Sequence, residues 1–212
     1  MDKLKIKKDW DKFYSESGFL TEKTYTSHKK YFSAYFETIS KYLGPESRIL
    51  EIACGPGKLL SVLSNKNKYC ILATDVNSDL LKVAEKNVKK FGNISRIKFK
   101  QLDCFKLLSD KDFKNIKFDG IIHHGLVEHF KDMKDVIKLL NYQAHKSNFV
   151  IFGLPYYSKR NIKLWDKSGN KVFRSKWLYR EWKNFFIKNF NVVEIFKFDA
   201  KADNMMCVIK GS

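Results

Sequence analysis

Short apolar runs alternate along this chain with longer segments in which apolar residues return every three or four positions. Strands alternating with amphipathic helices give that pattern. Residues 1–26 are charged and aromatic, with Trp10, Phe13 and Tyr14 at helical spacing, and predict an N-terminal cap rather than core. A helix is expected over 27–42, ended by Gly44-Pro45. Ile49, Leu50 and Ile52 form an apolar run suited to a strand covered on both faces. After it come a helix over 56–64, a strand over 69–75, a helix over 78–91 stopped by Gly92-Asn93, and a strand over 96–102. Farther on, 136–142 predicts an amphipathic helix and NFVIFGL at 148–154 a strongly apolar strand closed by Pro155. Two last strands fall at 192–198 and 205–209. Such alternation winds into an α/β fold around a mostly parallel sheet.

The 212 residues suit one core domain spanning 1–212, with 44% hydrophobic and 15% aromatic residues, including 18 Phe, to fill it. Neither an internal repeat nor a linker interrupts the chain. No apolar run approaches a membrane span, and MDKLKIKKDW lacks the apolar stretch of a secretory signal, so a cytoplasmic protein without a membrane partner is expected. Cys54, Cys70, Cys104 and Cys207 show no C-x-x-C pairing and read as buried free thiols, not as a metal site. The net charge of +18 raises a nucleic-acid partner. Against it, the excess is almost all lysine, with arginine only at Arg48, Arg96, Arg160, Arg174 and Arg180. Composition alone is the first account of that charge, an anionic small substrate the second, and nucleic acid the third.

The densest chemical signal is ILEIACGPGKLL, 49–60. An acidic residue, Glu51, precedes a small-residue turn in which Gly55 and Gly57 let backbone approach a ligand. Pro56 is tolerated at a helix start. The stretch reads as a nucleoside-binding elbow. A dinucleotide fingerprint would want a third glycine where the chain has Leu60. Read instead as E-x-A-x-G-x-G, the stretch resembles motif I of the class I S-adenosylmethionine-dependent methyltransferases, with Ala53 in place of the family's first glycine.

Three further segments follow in the family's order. YCILATDV, 69–76, resembles motif II and ends in Asp75, whose carboxylate is suited to both ribose hydroxyls. RIKFKQL, 96–102, leads to Asp103, where the family often meets the adenine amino group. FDGIIHHGLVEHF, 118–130, is similar to the fourth-strand segment and the turn after it. The resemblance implies a doubly wound, mostly parallel seven-stranded sheet with helices on both faces, an antiparallel last strand and an N-terminal helical cap. It implies S-adenosylmethionine as cofactor, contacted by Glu51, Ala53, Cys54, Gly55, Gly57, Asp75, Val76, Asp103, Cys104 and His123.

Methyl transfer from a sulfonium needs the two reactants held close and, for a weakly acidic acceptor, a base. His124 and His129 are the candidate bases, titrating near neutrality. His123, Glu128 and their histidine neighbours are set aside as a metal site, because hard cations prefer carboxylates and adjacent imidazoles converge poorly on one ion. The family commonly covers its acceptor with an insertion, and 156–182 is placed to be that lid. Its aromatics either clamp a planar acceptor, for which Tyr156, Tyr157 and Trp165 are named with Tyr14 of the cap, or pack on the sheet, as suits Trp177. The leading expectation is a methyltransferase for an oxygen or nitrogen of a small molecule, anionic or aromatic, acting as a monomer or homodimer. An RNA, DNA or protein methyltransferase is the alternative, although the chain has HHGL where amino-directed nucleic-acid enzymes carry [DN]-P-P-[YF]. A non-catalytic cofactor-binding subunit ranks third.

Overall fold

A computed structural model describes residues 18–65, 69–113, 115–168, 172–199 and 202–212. Tyr14 and most of the expected cap lie outside the described residues. The backbone gathers into two compact units, Met1–Lys106 and Leu107–Ser212.

In the first unit, α1 (Glu22–Tyr31) opens on Thr21, which accepts the Thr24 N–H while Thr24 accepts that of Thr21. α2 (Ser33–Tyr42) follows directly. The helix expected over 27–42 therefore starts earlier and is broken at Phe32, whose ring is buried against Tyr31 and Tyr35. This reciprocal threonine cap, rather than the apolar spacing, sets the start. Next come β1 (Arg48–Ile52), α3 (Lys58–Leu63), β2 (Cys70–Asp75), α4 (Ser78–Phe91) and β3 (Ile97–Gln101). β1 pairs with β2 and β2 with β3, all parallel, with Ile52 opposite Thr74 and Asp75 opposite Gln101. Their shared core holds Ile49, Leu50, Leu60, Ile71, Ala84 and Val88. The helix expected from Pro56 begins at Lys58, because Gly57 at φ +71° is still turning the chain. Asn77 caps α4 by accepting the Asp79 N–H.

The second unit carries β4 (Phe118–His124), α5 (Met133–Lys146), β5 (Ser147–Pro155), α6 (Lys159–Ser168), α7 (Tyr179–Asn189), β6 (Val192–Asp199) and β7 (Asp203–Lys210). β4 and β5 are parallel, and β7 lies antiparallel to both β5 and β6. The strand order β3-β2-β1-β4-β5-β7-β6 is thus mostly parallel with an antiparallel closing strand, as expected. α5 reaches further than the predicted 136–142, since Asp132 caps it by accepting the Lys134 N–H.

The aromatics of 156–182 divide between two places. Trp177 packs on Trp182, which stacks on Phe186 at 5.3 Å. Phe186 meets Phe152 of β5 edge-on, and Phe152 stacks on His123 at 4.8 Å. Trp182 and Phe186 are fully buried, a burial that contributes about 2–3 kcal/mol for a ring such as Phe186. The C-terminal part of the segment is therefore core. Tyr157 and Trp165 lie elsewhere, facing a cleft. Among the described residues no helix is long and apolar enough to cross a membrane.

Candidate active site

The elbow after β1 is built almost wholly from main chain. Ala53, Gly55 and Gly57 all take positive φ, at 54°, 52° and 71°. Ala53 accepts the left-handed conformation that the family's glycine would adopt freely, a strain of roughly 1–2 kcal/mol. The turn is pinned from three sides: the Cys54 N–H donates to Thr74 O at 2.9 Å, the Gly57 N–H to Cys54 O at 3.0 Å, and the Gly55 N–H to Asp75 Oδ2 at 2.9 Å. Asp75 also accepts the Asn77 N–H through Oδ1 at 2.9 Å. Its carboxylate thus ties the two predicted motifs together before any ligand is considered. A Cβ on Gly57 would stand 2.9 Å from the Ala84 Cβ, so this glycine also lets α4 pack close.

Glu51 is buried at 3% exposure, and its Oε2 has no hydrogen-bond partner among the described residues. Burial first, and the Asp75 carboxylate second, hold its carboxyl well above the usual range. Burial, with Glu51 and Asp75 adding, likewise keeps the Cys54 thiol neutral, so Cys54 offers the site its backbone. Val76 is half exposed, at 53%, directly after Asp75. Asp103 is half-buried and accepts the Phe105 N–H at 3.0 Å, opening a short 3-10 turn over Cys104–Lys106. The Cys104 thiol is pushed up to about 12 by burial and by Asp103. Cys70, expected buried with the other cysteines, is exposed at the start of β2.

One residue that the sequence reading missed organises this elbow. Asn87 of α4 donates through Nδ2 to Pro56 O and Gly18 O, both at 2.8 Å, and accepts the Leu20 N–H at 2.9 Å. An asparagine on the buried face of an otherwise amphipathic helix was the available signal.

In the second unit the turn after β4 reverses at Gly125, φ +67°, and forms a 3-10 turn over Val127–His129. His123, expected at the cofactor, has no exposed surface; burial, with His124 next in effect, lowers it to about 3. Its ring is engaged by Phe152, so what it offers a ligand in this conformation is main chain at most. His124 is half-buried at the strand's end. His129 Nδ1 lies 2.6 Å from Phe173 O. A carbonyl only accepts, so Nδ1 carries the proton and Nε2 the lone pair. Burial lowers His129 to about 4, the Phe173 carbonyl opposing and Arg174 reinforcing. Glu128, 2% exposed, has Oε1 3.4 Å from His129 Nε2, and burial raises it to about 8 against the pull of its backbone bond and Arg174.

Segment 172–178 holds this turn: the Ser175 N–H donates to Glu128 O at 2.7 Å and the Tyr157 N–H to Trp177 O at 2.8 Å. Of the predicted acceptor residues, Tyr157 and Trp165 come together at 6.4 Å between centroids. Tyr156 does not join them, packing instead edge-on to Tyr179 with Lys197 over its ring. Arg174 and Lys176, absent from the predicted set, line the same cleft. The scarcity of arginine in this lysine-rich chain was the only signal for Arg174. Among the described residues no three His, Cys, Asp or Glu side chains gather as a metal site.

Residues 43–200 match a family model described as a methyltransferase domain. The chain is 30% identical over 129 residues to a bifunctional methyltransferase of Rickettsia typhi, covering 58% of this chain and 24% of that protein. It is 28% identical over 154 residues to the ribosomal protein L11 methyltransferase of Thermotoga neapolitana, covering 71% and 53%. The chain thus spans a quarter to about half the length of these curated relatives. Its fold is similar to that of magnesium protoporphyrin IX methyltransferase from Synechocystis PCC 6803 solved with bound SAH, with a TM-score of 0.64, 12% identity, and coverage of 97% and 94%. A methyltransferase match across most of the chain, on a strand order and elbow of the same kind, means that it belongs to the class I S-adenosylmethionine-dependent methyltransferases.

Proposed function

We propose that this protein transfers a methyl group from S-adenosylmethionine to an oxygen or nitrogen of a small molecule. The observation that carries the small-molecule part is the cleft of about 320 Å³ beside Tyr157 and Trp165. That is the low end of the roughly 300–1,000 Å³ range of small-ligand sites. The magnesium protoporphyrin IX enzyme, also a small-molecule methyltransferase by name, lends the reading its precedent on this fold.

The elbow residues fit the cofactor. Glu51 Oε2 is a buried carboxyl oxygen without a partner among the described residues, and Asp75, oriented by two N–H donors, is the carboxylate that the resemblance assigns to the ribose hydroxyls. Val76 offers exposed apolar surface beside it, and Asp103 a second acidic group. Ala53, Cys54, Gly55, Gly57 and Cys104 contribute main chain, and His123 at most that. When bound, the cofactor supplies an electrophilic methyl group on a sulfonium.

His129 receives the acceptor's hydrogen bond and, as transfer proceeds, its proton. Tied through Nδ1 to Phe173, it keeps Nε2 unprotonated across the whole neutral range, with the Glu128 carboxyl 3.4 Å away for an acceptor to displace. Lowered to about 4, it is a weak base, so most of the rate comes from holding the reactants in place. His124 is the second candidate for this role. Tyr157 and Trp165 flank the acceptor, while Tyr156, placed elsewhere, is left out.

A macromolecular acceptor is the second reading, favoured by the charge of +18 and by the ribosomal-protein substrate in the Thermotoga relative's name. Labelled S-adenosylmethionine offered with phenols, aromatic acids and amines in one arm, and with RNA or ribosomal protein in the other, separates them. Release of S-adenosylhomocysteine with small acceptors is expected. Label entering only RNA or protein would overturn the proposal.

A further inference from the structure

The turn after β4 sets two hydrogen-bond acceptors against each other. His129 Nδ1, 2.6 Å from Phe173 O, carries the ring proton, so Nε2 presents its lone pair. Glu128 Oε1 faces that lone pair at 3.4 Å. An ionised carboxylate and a bare imidazole nitrogen repel at this range, so one proton between them holds the contact. The pair is a carboxylic acid beside a neutral imidazole, or a carboxylate beside an imidazolium, and it titrates as a unit.

The backbone keeps the two groups together. The Ser175 N–H bonds Glu128 O at 2.7 Å, and Gly125, at φ +67°, leaves space where a Cβ would stand 3.4 Å from Oε1. Glu128 Oε2 is buried without a partner among the described residues, so no donor there favours the carboxylate. The Glu128 side chain is 2% exposed and that of His129 13%, so an acceptor reaches the imidazole and not the carboxyl. Among the described residues Arg174 is the charged side chain that acts on both.

We propose that the base for methyl transfer is the Glu128–His129 pair rather than His129 alone: Nε2 takes the acceptor's proton, and the buried Glu128 carboxylate holds it there. The proposal rests on the small-molecule reading above, with His129 at the acceptor, and makes Glu128 its positioning residue. As the acceptor's bond to hydrogen breaks, that electron pair forms the bond to the methyl carbon and the carbon–sulfur pair stays on sulfur. The proton restores the one-proton state of the pair. His129 alone, lowered to about 4 by burial, is a poor base, whereas Glu128, raised to about 8 by burial, keeps the pair's last proton until near that pH. The pair is armed when that proton has left.

The test uses the full chain labelled with nitrogen-15 at histidine, with His129→Ala to assign the His129 signals. Between about pH 6 and 10, nitrogen NMR should show His129 Nε2 shifting with an apparent pKa of about 8. Glu128→Gln, whose amide donates to Nε2 at every pH, should show no such shift. Release of S-adenosylhomocysteine is followed over the same range with the phenol, aromatic acid or amine that turns over fastest. The ratio of wild-type to Glu128→Gln kcat/KM, which cancels the acceptor's own ionisation, should rise about tenfold from about pH 6.5 to 9 and then level off. Affinity for S-adenosylhomocysteine should be the same in both. An Nε2 signal that does not titrate, a shift that survives in Glu128→Gln, or a ratio independent of pH would overturn the inference. Titration of Nε2 as expected, without turnover of any small acceptor, would leave the shared proton standing and remove the small-molecule reading. Turnover without that titration would do the reverse.

Discussion

The two units make their candidate sites by different means. In the first, ligand-facing geometry comes from main chain turned through positive φ and clamped by a carboxylate and an asparagine side chain. In the second, it comes from side chains on a turn and a connecting segment, fixed by a few long-range hydrogen bonds. A site made of backbone must be specified by residue types that only that backbone tolerates. A site made of side chains can be rebuilt with other residues for other acceptors while the fold persists. A cofactor common to a family belongs naturally to the first kind and a variable acceptor to the second.

The largest expected effect breaks the first unit at its most constrained point. Gly57→Val combines a left-handed conformation with a Cβ 2.9 Å from Ala84 Cβ, and should cost about 3–5 kcal/mol, read as loss of the cooperative urea transition. If Gly57→Val folds with wild-type stability, the backbone account of this site fails.

Glu128→Gln sharpens the contrast from the other side. Glu128 is raised in the folded state, so its contribution to stability is present below its unfolded value of about 4.5 and is lost as pH rises through about 8. The amide variant removes that loss. It should match wild type near pH 4.5 and exceed it by about 4 kcal/mol near pH 8, seen in thermal melts. A gap independent of pH would show that Glu128 is not held neutral by burial.

Asn87→Ala leaves two carbonyls and the Leu20 N–H without their partner and should destabilise by about 2 kcal/mol while weakening cofactor affinity through a loosened turn. Chemical denaturation paired with S-adenosylhomocysteine titration checks both. The smallest change is expected at His129. His129→Ala should lower kcat roughly tenfold, below the usual range for a strong general base, with cofactor affinity unchanged. The wild-type pH–rate profile should lack an ionisation near 6.5, because His129 is already neutral there. A clear inflection at that pH, abolished in the alanine variant, would restore it as an ordinary base.

These differences also decide what was legible in the sequence. Gly55, Gly57 and Asp75 announce themselves because few residues turn a chain so tightly or accept two backbone donors, and the alternation of strands and helices gave the winding. The antiparallel last strand came from the family resemblance rather than from periodicity, and the order β5-β7-β6 from the structure alone. Asn87 stayed hidden because its partners are carbonyls and an N–H far along the chain, which no local pattern marks. Tyr156 and Tyr157 are adjacent, yet the extended backbone sends them to different clusters, and sequence alone does not say which one faces the cleft. Trp177 packs as its sequence reading expects, through Trp182 and Phe186 of α7 onto Phe152 of β5.

The first unit's elbow is predicted to hold S-adenosylmethionine through the clamped Asp75 carboxylate. Calorimetric titration of S-adenosylhomocysteine into wild type, Asp75→Ala and Arg174→Gln tests it most directly. Saturable binding in wild type, a loss of at least about tenfold in Asp75→Ala, and no change in Arg174→Gln are predicted. Absence of binding in wild type, or equal affinity in folded Asp75→Ala, would contradict the account.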